Sequence, residues 1–127
     1  MGIYTEDLSH VPAADEAVPE GPYQFRIASV DDTTVNDKNE VQIICQCKIQ
    51  TEGPVFGQQV RIQCSLKGFG LSVLKSLYKA TGYNPGAEGH DPSRLLDGEF
   101  RGTVVHKQYQ GQTFANIAPA SIKALIG

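Results

Sequence analysis

The sequence predicts a mainly β domain of five strands, with one helix inserted between the third and the fourth. Three observations carry this. Residues 40–66 read as two runs of apolar/polar alternation around a turn that holds Gly53-Pro54 and Gly57. Shorter alternating runs lie before that pair, at 22–30, and after it, at 100–108 and 113–118. Between them the period changes once, at 71–78, to that of an amphipathic helix.

The chain opens on an acidic arm. Residues 1–20 hold Glu6, Asp7, Asp15, Glu16 and Glu20 and no Lys or Arg, with Pro12, Pro19 and no sustained period. A weakly ordered, extended segment is expected there. The folded domain is expected over 21–127. Its first strand is Pro22–Val30, with Tyr23, Phe25 and Ile27 on one face and Gln24, Arg26 and Ala28 on the other. Residues 31–39 are expected to form a polar loop. In the long hairpin Val41, Ile43, Cys45, Cys47 and Ile49 share the apolar face with Val60, Ile62, Cys64 and Leu66. Gln42, Gln46, Lys48, Gln50, Gln59, Arg61, Gln63 and Ser65 share the polar one, with Ile44 as an apolar intruder. A turn centred between Gly53 and Gly57 puts Cys45 roughly opposite Cys64.

Lys67-Gly68-Phe69-Gly70 ends the third strand. Leu71, Leu74, Leu77 and Tyr78, widened by Val73, make a helix of about three turns with Gly82 at its C′ position. Asp91-Pro92-Ser93 is expected to cap a short turn carrying Leu95 and Leu96 and ended by Gly98. The fourth strand has Phe100, Gly102 and Val104 on one face. Tyr109-Gln110-Gly111-Gln112 reads as a tight hairpin turn. A last strand and a short closing helix over 119–126 complete the chain. Three strands, a helix and two strands is the order of the five-stranded OB-fold barrel, and a generic α+β sheet shares that order.

Composition narrows the function. A length of 127 residues fits one domain, and no apolar run approaches the ~20 residues of a membrane span. No basic segment followed by an apolar core opens the chain, so no signal peptide is expected, and three cysteines without metal-type spacing suggest a reducing compartment, the cytoplasm. A net charge of −3 argues against nucleic-acid binding, but its distribution does not. The arm accounts for five of the acids. Residues 21–127 carry nine acids and eleven bases, a net +2.

Few motifs carry chemistry. C-x-C within a strand sets Cys45 and Cys47 apart along one face, and no fourth ligand accompanies Cys64, so buried free thiols are expected rather than zinc. His10, His90 and His106 are scattered. His90-Asp91 resembles an acid/base pair, but Asp91 before Pro92 reads better as a cap. Gly68-Phe69-Gly70 lacks the spacing of a phosphate loop. No cofactor and no catalytic set is expected.

The polar sheet face is the informative surface. Arg26, Lys48 and Arg61 project from neighbouring strands among glutamines, with Lys67 nearby. Cations neutralise phosphates, and amides meet bases or sugars with little sequence preference. A solvated antiparallel face would show the same pattern. Stacking platforms must come from loop aromatics, of which Phe56, Tyr83, Tyr109 and Phe114 are candidates. Tyr109 and Phe114, with Lys107 on the same face, border the ligand groove if the fold is an OB barrel.

Several stretches resemble a family of small phage proteins from replication and recombination modules, OB-like and thought to bind single-stranded DNA. They are Gly21-Pro22-Tyr23, Glu52-Gly53-Pro54 with Gly57, Leu74-Lys75-Ser76-Leu77 with Ala80 and Gly82, Leu96-Asp97-Gly98, and Tyr109 with Gly111. The resemblance covers about residues 19–118 and implies a non-catalytic single-stranded DNA-binding protein that meets replication or recombination proteins. The chain ends Lys123-Ala124-Leu125-Ile126-Gly127, without the acidic tail of better-known single-strand binders. The expected groove holds Arg26, Lys48, Arg61 and Lys107, with Tyr109 and Phe114 stacking. The alternative is a protein-binding OB module, a phage accessory factor or inhibitor of a host protein. Ile44 and the glutamine ladder suit such a partner surface, or a homodimer, equally well.

Overall fold

In the computed structural model of the chain, residues 3–5, 8–9 and 17–125 are described. Four of the arm's acids (Glu6, Asp7, Asp15 and Glu16), His10, and Ile126 at the end of the expected closing helix lie outside them. Five strands, β1 (Gly21–Val35), β2 (Val41–Ile49), β3 (Gln59–Ser65), β4 (Glu99–Tyr109) and β5 (Gln112–Ile117), form one antiparallel sheet in the order β3-β2-β1-β4-β5. The helix α1 (Phe69–Ala80) lies between β3 and β4 in sequence and packs against both. Two 3-10 turns, η1 (Pro92–Leu95) and η2 (Pro119–Ser121), flank β4 and β5. β3 and β5, the two ends of the sheet, approach each other without a hydrogen-bonded ladder. The sheet is therefore curved but not closed.

Alternation sets the core. Phe25, Ile27, Ile43, Cys45, Cys47, Ile49, Val60, Ile62, Cys64, Phe100 and Val104 are buried on the concave face. Phe25 and Phe100 are directly paired across β1 and β4, and their rings stack at 5.3 Å. Gly102 leaves room for Ile117, whose Cγ2 would stand 2.8 Å from any added Cβ. α1 covers this face with Val73, Leu74, Leu77 and Tyr78. It ends as the glycine at 82 requires. Gly82 adopts φ 91°, Tyr83 N–H donates to the Tyr78 carbonyl (2.8 Å) and Gly82 N–H to that of Lys79 (3.2 Å), a Schellman closure.

Several sequence expectations are corrected. β1 runs to Val35, so the polar loop shrinks to 36–40. Asp31 accepts from the Thr33 amide and hydroxyl and from Thr34, and this local bonding lets a bulge between Asp31 and Thr34 stay within the strand. Cys45 pairs with Ile62 and Cys64 with Ile43, so the two thiols are diagonal rather than opposite. The helix begins at Phe69, inside the expected breaker, and Leu71 is exposed. Val41 is exposed as well, whereas Gln42 on the polar face is buried, donating to the Glu40 carbonyl and accepting from Gln63. No helix closes the described chain beyond Ser121. The Ser121 hydroxyl accepts the Thr103 amide (2.8 Å), and Lys123 pairs with Arg101 as a short bridge onto β4.

The described end of the arm is anchored. Val18 is buried, its carbonyl accepts from His106 Nε2 (2.7 Å), and the Glu20 carboxylate accepts the His106 amide (2.8 Å).

Candidate nucleic-acid interface

The convex face of the sheet carries the side chains that alternation turns away from the core. Across β1, β2 and β3 its rows are Arg26–Lys48–Gln59, then Ser29–Gln46–Arg61, then Asp31–Ile44–Gln63. Lys48 and Arg61 are thus diagonal neighbours. Ile44 is only half-exposed among these residues. On the other limb of the sheet, Val105, Lys107 and Tyr109 of β4 face the same way as Asn116, Phe114 and Gln112 of β5, their cross-strand partners.

The two limbs meet at the unzipped seam. There a cleft of about 550 Å³ is lined by Arg61 and Gln63 from β3, Lys67, the first turn of α1, Val105 and Lys107 from β4, and Asn116 from β5. Ile62, Val73 and Ile117 form its apolar floor. Gly70 is needed at the helix start because a Cβ there would meet the backbone of Ser65, its amide nitrogen at 2.7 Å. This close approach seats Phe69, 72% exposed, on the cleft's rim.

The expected groove residues divide into groups. Arg61 and Lys107 converge in the cleft. Lys48 lies on the same face beside Arg61, its stem passing over Gly57. None of these three has a carboxylate partner among the described residues. Arg26 lies farther along the face and is engaged: its Nη2 stands 2.9 Å from Asp97 Oδ1, and its Nε also donates to that oxygen. Lys67 lines the cleft but contacts Glu40 at 2.7 Å. Hydrogen bonds from Asn36 and then Lys67 hold the Glu40 carboxyl below its ordinary range.

Tyr109 (66% exposed) and Phe114 (45% exposed) sit on the outer face of the β4–β5 hairpin, with Phe114 directly opposite Lys107. The hairpin turn is tight, with Gln110 at φ 50° and Gly111 at φ 79°, as a type I′ turn requires. Phe56 is exposed in the β2–β3 connection. Tyr83 instead packs edge-on against Tyr78 and beneath Arg94. Phe69 escaped the sequence reading. It stands one turn before Val73 on the helix stripe, and that spacing was the available signal.

The other chemical candidates are absorbed by structure. His90 Nδ1 is hydrogen-bonded to the buried Tyr78 hydroxyl (2.7 Å), and Asp91 caps η1 through the Ser93 amide. Cys45, Cys47 and Cys64 are buried free thiols. Burial pushes Cys45 up to about 11 and, with the neighbouring Cys45, Cys64 up to about 12. Among the described residues no three His, Cys, Asp or Glu converge as metal ligands, and no helix is long and apolar enough to cross a membrane. The sequence matches no protein-family model, and no curated protein matches it.

Proposed function

We propose that this chain is a non-catalytic single-stranded DNA-binding protein, built as an OB-type barrel whose β3–β5 seam is unzipped, and that it serves phage DNA replication or recombination. The single observation that carries the reading is the seam cleft. It combines Arg61 and Lys107, amide side chains and an exposed aromatic rim, and it continues onto the hairpin face that presents Phe114 and Tyr109. In this reading Arg61, Lys107 and Lys48 contact phosphates, while Phe69, Phe114 and Tyr109 stack on bases. Gln63 and Asn116 hydrogen-bond to bases or sugars without fixing sequence. The phage setting rests on the sequence resemblance alone.

The test is a titration of the full chain against single-stranded DNA, duplex DNA and RNA oligonucleotides of one sequence, followed by gel shift. Preferential shift of single-stranded DNA supports the reading. Binding to none of the three removes it.

A further inference from the structure

The first strand has two neighbours over only part of its length. β2 pairs with it from Phe25 to Val35, whereas β4 leaves it after Arg26, opposite Glu99. The last exchange on the β4 side joins Ile27 to Asp97 and Gly98: Ile27 N–H donates to Gly98 O and Asp97 N–H to Ile27 O, each at 2.9 Å. From Ala28 onward no strand among the described residues pairs with that edge. Bulges at Ile27/Ser29 and Asp31/Thr34 frame the regular stretch Ser29–Asp31 between them.

A hollow of about 350 Å³ lies beside this edge, between Ala28, Val30 and Asp32 of β1 and Pro92 and Leu96 at η1. Leu95 turns into the core and is fully buried, while Leu96 remains 51% exposed over the hollow. The surroundings are acidic. Asp32 is the charged residue that lines the hollow, while Arg26, on the same strand, is held by Asp97. An apolar depression against an unpaired strand edge has the two parts that strand-adding peptide recognition uses: backbone pairing for affinity and a side-chain pocket for specificity.

We propose that the Ser29–Asp31 edge and the adjoining hollow form a docking site for an extended segment of a protein partner. The segment adds a short strand to β1, seats one apolar side chain against Leu96 and Val30, and carries lysine or arginine beside it to meet Asp32. The two bulges limit the edge to a few residues, which admits one short segment and disfavours open-ended sheet growth. The hollow shares no residue with the seam cleft, so the proposal stands independently of DNA binding.

The test uses fluorescence anisotropy with a labelled peptide of about nine residues, alternating threonine and valine with a central leucine and a lysine at each end. A second peptide carries glutamate at the ends, and two more carry N-methyl groups on one or the other alternate set of amides. The lysine peptide is expected to bind roughly tenfold more tightly than the glutamate peptide. Leu96→Asp is expected to weaken it by roughly tenfold. Asp32→Lys reverses the end-charge preference, and only one of the two methylated peptides binds. Both substituted residues are exposed, and an unchanged thermal midpoint verifies that each variant is folded. Equal binding of the two end-charge peptides, unaltered affinity in Leu96→Asp, or no binding up to about 1 mM overturns the proposal.

Discussion

Removing Arg61 should change how DNA binding responds to salt, and the structure sets the size of the change. Two unpaired cations, Arg61 and Lys107, line the cleft, and Lys48, also unpaired, lies beside Arg61 on the same face. With two to three phosphate contacts at roughly 0.7 each, log K should fall with log salt at a slope of about 1.4 to 2.1. Between about 50 and 200 mM salt that is roughly a 7- to 18-fold loss of affinity. Arg61→Ala or Lys107→Ala should each lower the slope by about 0.7, so each variant differs from the parent most at low salt. Arg26→Ala should leave the slope nearly unchanged, because that guanidinium already spends two donors on Asp97. Tyr109→Ala should weaken binding by about 1–3 kcal/mol with the slope intact, since stacking releases no counterions. Anisotropy titrations of one labelled oligonucleotide at four salt concentrations measure all of this. If Arg26→Ala lowers the slope as much as Arg61→Ala, the path of the strand does not follow the seam, and the reasoning fails.

Two further predictions concern the fold. Gly70→Ala should cost about 2–3 kcal/mol, because its Cβ meets the Ser65 backbone as well as the Ser65 hydroxyl, and the backbone cannot rotate away; an unchanged urea midpoint would show that the helix start can shift freely. The three thiols should react slowly with a thiol reagent in the native protein, and rapid labelling of all of them would invert the assignment of faces. Their titration also has a sign. Folding raises the Cys45 and Cys64 pKa values to about 11 and about 12, so the native state keeps its protons where the unfolded chain has lost them. Stability is therefore fully present below the ordinary thiol range and declines as pH rises from about 9 towards 11–12, by about 1 kcal/mol per thiol at pH 10. The Cys45→Ala/Cys64→Ala double variant, compared with the parent in urea from pH 8 to 10, should lose that part of the decline.

Period-two alternation made the buried faces of the sheet legible, because in Phe25, Ile27, Ile43, Cys45 and Val60 it coincides with burial. The helix stripe and the Gly82 stop were legible for the same reason. What failed were features set by contacts between distant residues. The pairing of Cys45 with Ile62 depends on a connection in which Ile49 bonds to both Gly57 and Gln58, and residue spacing does not encode that register. Asp31-Asp32-Thr33-Thr34 reads as loop chemistry, yet the Asp31 side chain satisfies the bulged backbone within the strand. Arg26 looked available for phosphate because Asp97, its partner, is 71 residues away. Likewise the convergence of Arg61 with Lys107 depends on the sheet curving until its two ends meet, and neither strand announces it alone.

The seam between β3 and β5 has a mechanical consequence. Elsewhere, separating neighbouring strands means breaking a row of backbone hydrogen bonds, but here the two limbs meet without a ladder, with Ile62 and Ile117 both lining the cleft between them. Rotating those side chains would widen or narrow the gap without breaking any ladder. Under the proposed single-strand-binding function, a groove whose aperture adjusts this way would accept purines and pyrimidines with similar ease, and tolerance of sequence would follow from an absent ladder as much as from the chemistry of the residues that line it.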